Sequence, residues 1–336
     1  MRRANLIKII VLVVVLGAAA GVGYVGHQIA RVEQPGVVTQ SQLFTVSRGE
    51  SARSVARRLL ADKPGISPFW QELWLRFHPG LWAIRAGTYQ LDAGWSLPQA
   101  LDWLVNGSQY QFRLTFIEGS ELSEWLKQLQ GASHLEHPQP ALTAPAIVKA
   151  LGASHTNLEG LLLPDTYLYV DGETELDILR QAYTQMQQFL QSSWADRSSG
   201  LPYKTPYQAL IMASMIEKET GASQERSLIA SVFVNRLRRN MRLQSDPTVI
   251  YALGNSYDGR LSRRDLRVAS PYNTYRVRGL PPTPIAMPGR ASILAALHPA
   301  KSAYLYFVAK GDGTHYFSKT LAEHNRAVRR YILNRK

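Results

Sequence analysis

No other stretch of this chain says as much about its fold as Thr205-Pro206-Tyr207-Gln208-Ala209-Leu210-Ile211-Met212-Ala213-Ser214-Met215-Ile216-Glu217-Lys218-Glu219-Thr220-Gly221. Its start carries three helix signals. Thr205 can cap, Pro206 suits the first helical position, and Gln208 completes a capping box. Gly221 marks the end. Between them, Ala209 to Ile216 are apolar nearly all round, which predicts a helix buried on most sides. Glu217 follows directly. At helical spacing it sits beside Leu210, Ala213 and Ser214, while Glu219 points the other way. A carboxyl on a buried apolar helix loses hydration, and the C-terminal end of a helix disfavours negative charge. Both favour the protonated form that a general acid needs. The competing reading is a Glu that opens a solvated last turn, paired with Lys218 or Arg226.

Outward from this helix the chain is organised in segments. Ile9 to Gly26 is an uncharged, apolar run, preceded by Arg2, Arg3 and Lys8. As a helix it would span roughly 27 Å, close to the hydrocarbon thickness of a bilayer. The basic flank predicts a cytoplasmic N-terminus, residues 1–8, and a single membrane helix, 9–27. A cleavable signal peptide, cut near Ala18-Ala19-Ala20, is the alternative. In both cases the body of the protein is exported. Residues 28–42 are polar with one Pro-Gly pair and read as a stalk.

Residues 43–113 read as a small α/β module. Leu43 to Val46 is a strand, Ser51 caps a helix, Ala86 to Leu91 is a second strand, and Leu97 to Val105 is a helix. Residues 114–336 read as a larger domain, with helices to about residue 240 and then turns. A hairpin closes it: Tyr304 to Val308, a turn at Lys310-Gly311-Asp312-Gly313, and His315 to Phe317. The fold class is α+β.

Composition narrows the chemistry. There is no cysteine, which excludes disulfides, thiolate nucleophiles and cysteine zinc sites. His298, His315 and His324 follow no ligand spacing, so no metal is expected, and nothing in the sequence calls for a cofactor. The net charge of +13 could suit nucleic acid, lipid headgroups or an acidic polymer. Export argues against nucleic acid.

Several motifs in order resemble one family. Ala213-Ser214-Met215-Ile216-Glu217-Lys218-Glu219 is preceded by Leu158-Glu159-Gly160 and Pro164-Asp165-Thr166-Tyr167. It is followed by Val232 to Leu237, Leu243-Gln244-Ser245-Asp246-Pro247-Thr248-Val249, Ser270-Pro271-Tyr272-Asn273-Thr274-Tyr275, Gly279-Leu280-Pro281-Pro282 and Glu323-His324-Asn325. This series resembles the YceG-like endolytic murein transglycosylases, the MltG family. The module at 43–113 resembles LysM, which binds N-acetylated glycans. Two departures occur: Thr283 stands where members often have Gly, and Met287-Pro288-Gly289 replaces an Asn-Pro-Gly variant.

The resemblance implies an enzyme of the cell inner membrane that cleaves nascent peptidoglycan strands. The bond is the β-1,4 link from N-acetylmuramic acid to N-acetylglucosamine, and the product carries a 1,6-anhydro end. Glu217 would protonate the leaving oxygen and then accept the C6 hydroxyl proton. Because the nucleophile belongs to the substrate, one carboxyl suffices where hydrolytic glycosidases use two. Glu159, Ser214, Gln244, Asp246, Tyr272, Asn273 and Tyr275 are the expected substrate contacts, although Glu159 could equally serve a Gly turn. Asp165 reads more simply as a turn-maker. Penicillin-binding proteins are the partners the family suggests. The alternative is a non-catalytic, membrane-anchored peptidoglycan-binding scaffold in which Glu217 is inert.

Overall fold

A computed structural model describes residues 2–61 and 66–333, with side chains from residue 5. The side chains of Arg2 and Arg3, and the last residues of the expected 114–336 domain, lie outside the described residues. The chain is mixed α+β and separates into two compact units. One is formed by the chain up to Phe112 together with Val170–Gly172. The other is formed by Arg113–Tyr169 and the chain from Glu173 onward.

In the first unit, α1 (Arg2–Val32) is followed by β1 (Gln42–Val46), α2 (Ala52–Leu59), α3 (Pro68–Arg76), β2 (Gly87–Leu91) and α4 (Leu97–Asn106). The stretch Asn5–Glu33, which takes in most of α1, has a mean hydropathy of 2.6 and is long enough to cross a membrane. Its apolar side chains from Leu6 to Leu16 are all exposed. β1 and β2 pair antiparallel, with Phe44 opposite Tyr89 and Val46 opposite Gly87. Phe44 and Val46 alternate inward, as a strand with one buried face requires. They join Val55, Ala56, Leu59, Trp74, Leu97, Leu101 and Leu104 in one core. Ser51 and Ser96 cap α2 and α4, the latter with a full capping box to Gln99.

The stretch 28–42, expected as a polar stalk, is structured. α1 continues helically to Val32, and Val32, Val37 and Val38 are buried in the core of the module. Trp74 Nε1 donates to Glu33 Oε1 at 2.8 Å. The polar residues between these valines masked their burial in the sequence.

The second unit holds β3 (Phe112–Thr115), α5 (Leu122–Gln130), α6 (Ala144–Leu151), β4 (Thr166–Tyr169), α7 (Glu175–Ala195), α8 (Pro206–Glu219), α9 (Arg226–Arg238), α10 (Asp246–Leu253), α11 (Arg290–Leu297), β5 (Tyr306–Ala309), β6 (His315–Ser318) and α12 (Leu321–Val328). α8 is the hub, with α7, α9, α10 and α11 packed around it. All eight residues from Ala209 to Ile216 are buried. Burying each of its larger side chains contributes roughly 1.5–3 kcal/mol. The N-terminus of α8 differs from expectation in one detail. Thr205 accepts from Gln208 N–H, but Gln208 Oε1 reaches back to Lys204 N–H rather than to the cap residue. β5 and β6 form the expected hairpin, in register Phe307 to Phe317, with Gly311 and Gly313 at positive φ in the turn.

Candidate active site

Glu217 lies at the last turn of α8, and its side chain is 6% exposed. Its Oε2 accepts the Gly289 N–H at 2.8 Å. Its Oε1 faces Arg226 Nη2 at 3.6 Å. The solvated last turn considered for Glu217 is therefore replaced by an enclosed carboxyl, although the pairing with Arg226 is present. Arg226 opens α9. The preceding Glu225 is buried and holds both the backbone N–H and the ring of His315, which ties this turn to β6.

The floor beneath Glu217 comes from two distant segments. Gly119 N–H donates to Met287 O, and Met287 N–H donates to Ser120 O, both at 2.8 Å. Lys218 Nζ donates to Gly119 O at 3.0 Å. These bonds bring the turn after β3 against the segment that leads into α11. Gly289 has an ordinary φ, so its need for glycine is steric. A Cβ there would lie 1.8 Å from Glu118 Oε1. Glu118 thus stands over the same glycine whose N–H binds Glu217. Partial burial, followed by the charge of Glu217, raises the proton affinity of Glu118, and Arg226 opposes this. Glu118 was not among the residues singled out from the sequence. The available signal was an acidic residue directly before Gly119.

Ser214 is fully buried. Its hydroxyl donates to Ile211 O and accepts the Ile285 N–H at 3.0 Å. It clamps the 285–289 segment onto α8 and has no exposed surface, where sequence led to the expectation of a substrate contact. Asn273 is likewise fully buried. It donates to Leu266 O and Val268 O and accepts Tyr275 N–H, so it builds its own loop.

Glu159 is buried, and its carboxyl accepts Leu122 N–H at the start of α5. Desolvation pushes its pKa up to about 8, with Glu121 adding to the rise and the Leu122 N–H and Tyr251 opposing it. Gly160, at φ +77°, packs on Pro284, where a Cβ would approach to 2.3 Å. Tyr251 stands between Glu159 and Tyr272, with the two tyrosine rings 5.0 Å apart. Tyr251 was not among the residues expected at the site. Tyr272 pairs with Thr283 through hydroxyls 2.9 Å apart. Gln244 and Asp246 are exposed. Gln244 accepts from Arg236, and Asp246 accepts the Tyr275 hydroxyl at 2.6 Å. Glu219 leaves the other side of α8 and accepts from Ser245 Oγ. Desolvation pushes its pKa up to about 7. Asp165 accepts Thr166 N–H and lies 3.5 Å from Arg290.

One carboxyl, held by an N–H and a guanidinium at the end of a buried helix, can exchange a proton with a ligand. The YceG-like family profile matches residues 44–330. The chain belongs to the YceG-like family. It is 36% identical over 275 residues to an endolytic murein transglycosylase of Bacillus subtilis (strain 168), covering 76% of this chain and 75% of the relative. A relative of the same description from Streptococcus pneumoniae (strain D39) is 33% identical over 74% of this chain, and the chain spans about half of its length. A crystal structure of a putative yceG-like protein from Listeria monocytogenes aligns at a TM-score of 0.53 and 30% identity. That alignment covers 85% of this chain and 98% of the other.

Proposed function

We propose that this member of the family is a peptidoglycan lytic transglycosylase acting endolytically, with Glu217 as the proton donor. The observation that carries this is the enclosed carboxyl at the end of α8, bonded to Gly289 N–H and facing Arg226. The curated relatives described as endolytic murein transglycosylases support the same reading. Glu217 gives its proton to the glycosidic oxygen as the C1–O4 bond breaks. The C6 hydroxyl of the muramic acid closes on C1, and its proton leaves to a carboxylate. No water is consumed, so the product is a 1,6-anhydro end. Purified protein is expected to release anhydro-ended fragments from sacculi, read by mass spectrometry. Glu217→Gln should lower that rate by at least about 100-fold, the usual contribution of a general acid. Equal rates for the two proteins, or hydrated reducing ends, would refute the reading.

The half-buried Tyr272 and Tyr275, with exposed Gln244 and Asp246, suit sugar faces and hydroxyls, and they extend the proposed substrate groove away from Glu217. The first unit, with two helices between paired strands, suits a LysM-like glycan binder. It carries a cleft of about 690 Å³ lined by Ser51, Phe69, Glu72, Arg76 and Trp82. Trp82 fluorescence titrated with N-acetylglucosamine oligomers tests this, and an unchanged spectrum refutes it. α1 would anchor the enzyme in the inner membrane beside nascent strands. A penicillin-binding synthase is the proposed neighbour, and crosslinking in growing cells that recovers no such partner would remove it.

A further inference from the structure

We propose that Glu118 is a second catalytic carboxyl, the acceptor of the C6 hydroxyl proton, paired with Glu217 across Gly289. This deepens the transglycosylase reading and rests on it. It also revises the expectation that one carboxyl performs both proton transfers.

The geometry carries the inference. Both carboxyls converge on one glycine, Glu217 at its N–H and Glu118 where a side chain would begin. The two differ in access. The Glu217 side chain is 6% exposed, whereas Glu118 is open to solvent and therefore to a strand lying in the site. Arg226 faces Glu217 and also acts on Glu118. Its buried Nε has no hydrogen-bond partner among the described residues. The other charged groups around the pair are Lys218 on α8, bonded to Gly119 O, Glu121 and Glu124 at the start of α5, and Arg290 of α11, which faces Asp165.

The proton count balances. Glu217 donates to the leaving O4, and the C1–O4 bond breaks. The C6 oxygen forms the C1–O6 bond and its proton passes to Glu118. Glu217 is then anionic and Glu118 is neutral. Exposed Glu118 loses its proton to water, and Glu217 regains one before the next cycle. Two close carboxyls also couple the steps: the charge that appears on Glu217 as it donates raises the affinity of its neighbour for a proton. Glu118 therefore becomes a better base at the moment a base is needed.

The test uses full-length protein on sacculi, with anhydro-product release measured from pH 4 to 9 alongside wild type and Glu217→Gln. A catalytic base must be ionised, so wild-type activity falls on the acidic side. Glu118→Gln is expected to lose at least about 100-fold at neutral pH, the lower end of the range for acid–base groups, and to lose the acidic limb. Its urea midpoint should match wild type. Gly289→Ala keeps the N–H for Glu217 but drives the Glu118 carboxyl aside, so it should lose the same limb even if Glu118→Gln folds poorly. Activity within twofold of wild type for Glu118→Gln overturns the proposal. So does a loss of rate in both variants with the acidic limb unmoved. If wild type yields no anhydro ends, or Glu217→Gln remains active, the transglycosylase reading itself has failed.

Discussion

Buried polar side chains decide what this site can do, and Glu159 shows how. Its carboxyl is buried at the start of α5, and burial lifts its pKa from 4.5 to about 8. A carboxyl that holds its proton more tightly when folded stabilises the fold while protonated. That stabilisation is fully present below about pH 4.5 and is lost as the pH rises through about 8. Global stability, read from urea unfolding at a series of pH values, should therefore decline across this window by an amount on the order of a few kcal/mol. Glu159→Gln is neutral throughout and retains an acceptor for Leu122 N–H, so its decline should be shallower. An unchanged slope would show that Glu159 does not titrate in this window. Residue identity alone left Glu159 open between orienting a substrate and holding a backbone N–H. The Leu122 bond supplies the second role, and it spans 37 positions in sequence, beyond the reach of any local pattern. Ser214 also has a structural partner that the sequence hides. A hydroxyl beside the carboxyl on a helix looks like a site residue until the Ile285 N–H arrives from 71 positions away.

At the scale of elements, local signals worked where the element is set by its own sequence. α8 has Thr205, Pro206 and an apolar run, and it forms as read. The hairpin of β5 and β6 has its glycine turn. The polar reading of the stretch 28–42 missed its burial because that burial rests on Val32 and the pair Val37-Val38, set among polar residues. This gives a prediction about α1, whose two ends should respond differently to the same change. Val32 is fully buried, while Val14 is exposed. Val32→Ala removes two buried methyl groups and should destabilise the first unit by roughly 1–2 kcal/mol. Val14→Ala should leave that unfolding transition unmoved. Thermal unfolding of detergent-solubilised protein measures both. Equal midpoints for Val32→Ala and wild type would mean that the helix end does not belong to the core of the module.

For the whole molecule, order along the chain carried more information than any single motif. A lone Glu on an apolar helix is weak ground for catalysis, whereas an ordered series from Leu158 to Asn325 is specific. The same series could not reveal Glu118, because the pair forms only when the chain brings residues 118, 217 and 289 together. Topology is the property of the whole chain most open to test. Arg2, Arg3 and Lys8 flank one end of the apolar run, while at the other only Arg31 follows closely. If α1 spans a membrane with its basic flank on the cytoplasmic side, everything after α1 is expected to lie outside. Protease added to spheroplasts should digest the body of the protein and spare an N-terminal tag. A catalytic unit that needs extracellular glycan cannot work if that orientation is reversed. A body protected until the membrane is lysed would therefore overturn the topology and the proposed access to peptidoglycan together.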